Sequence, residues 1–404
     1  MPADAVALTA AELRLLTAVE SLQGELRDLL VELVRCESVN PPGDTRKAAR
    51  VCAEMLFTFA DDVQEVGPDP LMPNLLAAVN AGRSPQLLFN SHIDTVPIGE
   101  RANWRHDPFG GECLDGVLYG RGSADAKGCV APMIIAGKAL KRSGLELKGS
   151  LVINPVSDEE VGGSKGAGWL VAQGVIKPDW VVIGEITTNR IAISHKGIVQ
   201  FRIVTHGRTA HASTPWAGVN AISHMVAILS RIQSELGLAL SRRSHPLTPP
   251  PSFNIGMIRG GVKANVVPDR CEVELDRRIL PTERLADAVA ELKDIVERVQ
   301  QNNPAMHAEV EVFLTGSPLD TRADEPLVQT ALAASQALGL PGEPVGYQQA
   351  SDGRFFSERG IPTILVGPGI PERAHTPDEH IALADVYEAA KLYALIAYRL
   401  LASP

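Results

Sequence analysis

Ser91-His92-Ile93-Asp94-Thr95-Val96-Pro97 is the stretch whose reading decides the fold. It closes the apolar run Leu87-Leu88-Phe89, which reads as a buried strand ending at a turn proline. His92 and Asp94 stand two residues apart, so on an extended backbone they project to the same side. A carboxylate beside an imidazole can receive one ring N–H and leave the other nitrogen to a metal. A structural His–Asp hydrogen bond at a strand end would leave the same trace in so short a motif. What separates the two is whether other strands also end in acids or histidines.

They do. Before this strand, Asn74–Val79 reads as a strand, and after it a turn-rich segment leads to Ala124-Asp125-Ala126-Lys127-Gly128. That acidic loop opens an apolar helix predicted over 129–141. The apolar run Ser150–Val156 is a strand ending in Ser157-Asp158-Glu159-Glu160, and Trp180–Ile183 is another ending in Gly184-Glu185. Strands alternating with helices predict an α/β sheet, whose ligands sit beyond the carboxyl ends of the strands. Four strand ends are thus expected to offer His92, Asp125, Glu159 with Glu160, and Glu185 to one crevice. A single acidic strand end is ordinarily a helix cap or a solvated loop. Several together with a histidine are not.

The flanks fill in the rest. Leucines and valines at helical spacing predict one helix over 10–35, stopped by Pro41-Pro42-Gly43, and a second over 45–58. From about Ile191 the pattern changes to one-sided alternation, as in the strand predicted over 198–205. A helix at 218–236, strands at 252–259 and 266–278, a helix at 283–301 and a strand at 307–314 follow. That is the strand–helix–strand–strand–helix–strand order of a ferredoxin-like α+β fold. It is read as an inserted domain over 191–314, within a first domain formed by 1–190 and 315–404. The first domain resumes with a helix at 325–337, a strand at 363–367 and a final helix at 383–401.

Composition bounds the function. The chain has 404 residues, 45% hydrophobic and 21% charged, as expected for a globular protein of two domains. A net charge of −10 and a pI near 5.5 argue against nucleic acid or anionic membrane as partner. Five cysteines form no CxxC pair and read as reduced thiols. The N-terminal segment lacks the order of a signal peptide, and no apolar stretch reaches membrane-spanning length. A cytoplasmic protein is expected.

The motifs occur in one order: His92-x-Asp94, GRGSADAKG at 120–128, DEE at 158–160, GE at 184–185, GRTAHAS at 207–213, NVVPD at 265–269, DRR at 276–278 and HTPDEH at 375–380. Together they resemble the acetylornithine deacetylase and succinyl-diaminopimelate desuccinylase family of di-zinc amidohydrolases, whose relatives include carboxypeptidases. The resemblance implies a mixed-sheet di-zinc catalytic domain and an inserted lid and dimerisation domain. It implies His92, Asp125 and Glu185 as ligands of one zinc, and Asp125, Glu160 and His375 as ligands of the other. Asp94 matches the carboxylate behind His92, Glu159 the general base, and His211 a lid histidine that enters the neighbouring subunit's site. Asn265 and Arg278 match substrate-binding lid residues, and the backbone at Gly369 is expected to add a donor. Two positions depart from the family pattern: Ala126 stands where methionine is usual, and Ile186 where proline is frequent.

The chemistry is coherent. Two imidazoles with three carboxylates suit two zinc ions, with cobalt or manganese as substitutes. Paired metals hold a bridging water as hydroxide and polarise an amide carbonyl, and an unligated glutamate moves the proton. The expected reaction is hydrolysis of an N-acyl amino acid. A carboxypeptidase or dipeptidase activity is the alternative, and a non-catalytic binding relative a remote one. Arg278, in a chain of net negative charge, reads as the bidentate partner of a substrate carboxylate or as the ion-pair partner of Asp276 or Glu274. A homodimer is expected. His106, His206, His224, His245, His307 and His380 read as surface or structural residues.

Overall fold

The His92 strand lies in the middle of a mixed sheet. Strand Gln86–His92 has Ser150–Val156 on one side and Trp180–Ile183 on the other, both parallel to it, and Thr363–Leu365 extends the parallel set. Asn74–Val79 and then Asp62–Val66 add antiparallel strands at one edge. Central parallel strands are covered on both faces, which is why they read as unbroken apolar runs. All seven residues of Ser150–Val156 are buried. Because four strands run the same way, the chain beyond His92, Val156, Ile183 and Leu365 emerges at one rim of the sheet.

This computed structural model describes residues 7–402, which divide into two units. The first holds the chain up to Ile193, Thr321–Val345 and Ser351 onward; the second holds Ser194–Asp320 and Gly346–Ala350. In the first, helix Lys127–Ser143 packs on the sheet and against helices Ala10–Glu20, Gln23–Arg35 and Leu383–Ala402. Helix and sheet approach closely at Gly137, where a Cβ would lie 2.4 Å from Ile153 Cδ1. Gly144, at φ +62°, ends this helix in the left-handed conformation that glycine adopts without strain.

The helix expected over 10–35 is two helices, Ala10–Glu20 and Gln23–Arg35. Apolar periodicity runs through the break because Leu22, between them, is itself fully buried. Thr9 and Glu12 cap the first helix reciprocally, and Glu12 also binds Arg399 at 2.5 Å, tying it to the last helix. A small antiparallel sheet of Glu112–Leu114, Val117–Tyr119 and His380–Ala382 was not foreseen, since three-residue strands carry little periodicity.

The second unit is ferredoxin-like. Its sheet runs Ser252–Gly260, Arg270–Ile279, Gly197–His206, His307–Gly316, all antiparallel. Helices Ala221–Arg231 and Leu285–Gln301 supply the other half of a core around Phe201, Ile203, Met225, Ile228, Leu275 and Leu292. The helix expected over 218–236 is regular only to Arg231 and continues as a π-turn over Ile232–Leu236. The strand expected from 266 begins at Arg270, because Pro268 lacks the N–H a ladder needs and Val267 N instead bonds the Ala210 carbonyl. Among the described residues no helix is long and apolar enough to cross a membrane.

Candidate metal centre

The rim of the parallel strands carries the acids and histidines. His92 is the last residue of its strand and is 2% exposed. Its Nδ1 lies 3.0 Å from the backbone carbonyl of Asp94 and 3.7 Å from that residue's carboxylate. The peptide oxygen is thus the nearer of the two Asp94 acceptors to Nδ1, with the carboxylate expected to take the ring N–H standing 0.7 Å farther. Either acceptor leaves Nε2 free, and Nε2 faces Asp125 Oδ1 at 3.2 Å. The Asp94 carboxylate has another job. It accepts Asn40 Nδ2 at 2.9 Å and the amides of Glu159 and Glu160, each at 3.3 Å, and so pins the turn bearing those two glutamates.

Asp125 does not end a strand of the sheet; it sits in the loop just before helix Lys127–Ser143. Glu379 holds that loop, with one carboxylate oxygen accepting the amides of Ala124 and Asp125 at 3.0 and 3.1 Å. Its other oxygen receives Arg121 Nη1 at 2.5 Å. Both members of this pair are buried, and the Arg121 guanidinium also lies over the Trp104 ring. Arg121 and Glu379 fall inside quoted motifs, yet nothing in one sequence says that they meet. Asn40 precedes the prolines that stop the helix, and the sequence gives no hint of its role.

His375 completes the cluster. Its Nε2 is 3.2 Å from Asp125 Oδ2 and 3.3 Å from Glu160 Oε2, while Glu160 Oε1 accepts the Val96 amide at 3.1 Å. One donor atom from each of His92, Asp125 and Glu160 lies within 4.8 Å of the others. Asp125 thus turns one oxygen to each imidazole. Glu185 is 4% exposed and reaches the rim through Gly184, where a Cβ would lie 2.8 Å from Ser91 and Cys129 side chains. Gly369 lies beside this group, at φ +93° and with its carbonyl accepting the Thr188 amide at 3.1 Å.

The electrostatics express a surplus of carboxylates. Burial pushes the Glu159 carboxyl well above its usual range; His92 opposes this, while Asp352, Glu185 and Glu160 add to it. Burial works against a charged His92, yet its contact with Asp125 and the charges of Glu159 and Glu160 lift it well above an ordinary histidine. Hydrogen bonds to Asp125, then to Glu160, raise His375 to about 10. Asp352, whose two buried oxygens lack a hydrogen-bond partner among the described residues, is raised to about 6 by burial, partly offset by Arg354. A site this negative, with imidazole nitrogens turned inward, fits divalent transition-metal ions.

The remaining expected residues belong to the second unit. His211 is exposed, with Nδ1 2.7 Å from Ser213 Oγ, and Asn265 is exposed with its carbonyl accepting the Ala212 amide. Arg278 is not unpaired: its Nε donates to Asp276 Oδ1 at 2.8 Å. Ala126 and Ile186, the two departures from the family pattern, are both buried.

Residues 88–399 match the sequence profile of peptidase family M20/M25/M40. The acetylornithine deacetylase of Proteus mirabilis is 32% identical over 337 residues, covering 83% of this chain and 84% of its own. The succinyl-diaminopimelate desuccinylase of Alkalilimnicola ehrlichii is 31% identical over 337 residues, 81% of this chain and 87% of its own. Among solved structures, aminopeptidase PepT from Bacillus cereus aligns with a TM-score of 0.75 at 23% identity, over 93% of this chain and 98% of its own. A dinuclear metal binding peptidase of the M20 family from Bacillus subtilis aligns at 0.72 and 18% identity, over 95% and 100%.

Removing one member of a buried ion pair leaves the other charge uncompensated, which costs about 3–5 kcal/mol. Glu379→Ala should therefore lower the unfolding free energy by about that amount in urea denaturation. Arg121→Met with Glu379→Leu should recover part of it, because no buried charge is then left alone. A Glu379→Ala protein as stable as the wild type would show that the pair does not hold the Asp125 loop.

Proposed function

The chain belongs to peptidase family M20/M25/M40 and is an enzyme that hydrolyses amide bonds, and from that premise we propose that it deacylates an N-acyl amino acid at a two-zinc centre. The observation that carries this reading is Asp125, whose oxygens stand 3.2 Å from His92 Nε2 and 3.2 Å from His375 Nε2. A carboxylate so placed suits a bridge between two ions. We assign His92, Asp125 and Glu185 to one and Asp125, Glu160 and His375 to the other, with cobalt or manganese as workable substitutes. Metal ions held by these residues would contribute Lewis-acid polarisation of the amide carbonyl and would acidify a water. The protein supplies the rest. Glu159, held by the Asp94 bond to its amide and made basic by burial, takes the water's proton and delivers it to the leaving nitrogen.

Deacylation is favoured over carboxypeptidase or dipeptidase action by the more similar relatives. The deacylases are 31–32% identical to this chain, whereas the peptidase structures, at 18–23%, speak for the fold. The substrate carboxylate is assigned to Arg278, with Asn265 and the Gly369 backbone as further donors and His211 as an oxyanion donor; for these roles the support is the family resemblance. Arg278 must exchange Asp276 for the substrate, which a bidentate carboxylate makes favourable. A cytoplasmic setting is supported by five free cysteines, four of them buried.

A homodimer through the second unit belongs to the same proposal. Among the described residues strand Ser252–Gly260 is an edge of its sheet, and Ile258 on it and Val262 beyond it are exposed apolar side chains. Mixing inactive His211→Ala chains with inactive Glu159→Gln chains should restore activity in heterodimers if His211 serves the neighbouring subunit. Heterodimers that form and stay inactive would remove that role.

On substrates, N-acetyl and N-succinyl amino acids should outpace dipeptides in kcat/KM on the zinc-loaded enzyme. Esterifying the free carboxylate should cost about 100-fold or more, the loss expected when a charged contact of ~3 kcal/mol goes unmade. Arg278→Ala should lose a similar factor on the acid and little on the ester. Faster dipeptides would put the peptidase reading first. Finally, Glu159→Gln should retain both metals by elemental analysis yet lose about 10²–10⁴ in kcat. Glu160→Gln should lose metal instead, and normal turnover by the Glu159 variant would overturn its role as base.

A further inference from the structure

His206 and His307 read as surface or structural residues in the sequence, and the second unit brings them face to face. They are register partners on the adjacent strands Gly197–His206 and His307–Gly316. Glu309 follows His307 by two residues and so shares its face of the sheet, opposite Val204. One donor atom from each of His206, His307 and Glu309 lies within 4.8 Å of the others. The imidazole rings stand 5.0 Å apart between centroids at 53°, and His206 Nε2 is 3.5 Å from Glu309 Oε1.

We propose that these three residues form a metal site, separate from the centre in the first unit, that takes a transition-metal dication of the zinc, nickel and copper class. Two observations carry it beyond proximity. His206 Nε2 is buried and, among the described residues, has no hydrogen-bond partner, an unmet need that a coordinate bond would meet. Its 3.5 Å separation from Glu309 Oε1 is also close to the ~3.4 Å between two ligand atoms that each lie ~2.0–2.1 Å from a tetrahedral ion. An ion pair between a protonated His206 and Glu309 would satisfy those two groups but set its charge against the second imidazole. A metal uses all three. Arg270, opposite His206 on the other side, is engaged by Glu272 at 2.6 Å, so its charge is already answered. Two imidazoles with one carboxylate select zinc, nickel or copper over magnesium or calcium, and the exposure of His307 and Glu309 leaves the remaining positions to water.

The consequence is mechanical as well as chemical. His307–Gly316 is an edge strand, and an ion bound here clamps it to its neighbour at the end of the ladder. The three donors sit on hydrogen-bonded strands rather than loops, so little order is lost on binding.

The inference does not rest on the function proposed above, and its test reads metal rather than turnover. The purified enzyme, with whatever metal it retains, is dialysed against Ni²⁺, and bound nickel is counted by elemental analysis alongside the His307→Ala protein. The wild type should take one equivalent more than the variant, at an affinity on the order of micromolar. Loss of a direct ligand should cost no less than the ~10-fold seen when an outer partner of a ligand is lost, and Glu309→Gln should weaken binding in the same direction. Ni²⁺ should raise the unfolding temperature of the wild type more than that of His307→Ala. His307 lies exposed on an edge strand, so both variants should fold and keep wild-type hydrolysis. Equal nickel binding by wild type and His307→Ala, or no excess equivalent up to about 1 mM Ni²⁺, would overturn the site.

Discussion

Like charges held together at the rim of a parallel sheet are the constraint on which the first unit depends. Two carboxylates 4 Å apart repel by about 4 kcal/mol at an effective dielectric constant near 20. Asp94, Asp125, Glu159, Glu160 and Glu185 crowd the rim, with His92 and His375 among them. The chain answers with fixed donors. Asp94 takes the Asn40 amide and two backbone amides, Glu160 takes the Val96 amide, and Glu379 takes two amides and the Arg121 guanidinium. Much of the local structure is thus organised around anions before any ligand binds.

Backbone strain follows from the same constraint. His375 at φ +60° and Asp158 at φ +76° occupy the left-handed region on either side of the cluster, where a non-glycine residue is disfavoured. Each is held by its surroundings. The Asp158 carboxylate accepts the Lys165 amide at 2.8 Å, and Asp378, three residues beyond His375, accepts the amides of Arg105 and His106. Strain of this kind persists only where neighbours over-determine the conformation, and here it accompanies the meeting of Glu160 with His375.

Much of this was legible in the sequence, for a physical reason in each case. Buried parallel strands show as apolar runs, and acids at their ends project to a shared rim, so His92, Glu159, Glu160 and Glu185 could be picked out. Asp125 was picked out with them as an acidic strand end, though it lies in a loop ahead of a helix. His375 came only through the family resemblance, because nothing local to 375 announces the fold's return to the rim. Other features were hidden because they are pairings across the chain. The Arg121–Glu379 pair and the Asn40 contact depend on which side chains meet, whereas the pairing of Arg278 with Asp276 was one of the two readings its neighbours allowed. Which oxygen of Asp94 faces His92 Nδ1 rests on a difference of 0.7 Å, the 3.7 Å to the carboxylate against the 3.0 Å to the peptide oxygen. Spacing in sequence does not resolve such a difference.

The second unit shows a complementary limit. Its sheet buries one face in the core around Phe201 and Leu275 and turns Arg202, Glu272, Glu274 and Glu311 outward as a ladder of ion pairs. Alternation reveals which face is which, and so the ferredoxin-like order could be read. It says nothing of what the polar face is for, since any hydrophilic residue satisfies the pattern. Exposed ion pairs on such a face contribute little stability, so packing leaves the choice of residue open. A position there can be set by a ligand at no cost to the core. Two histidines in register on neighbouring strands, with an acid two residues on, are therefore free to serve the metal site proposed for them without disturbing the fold.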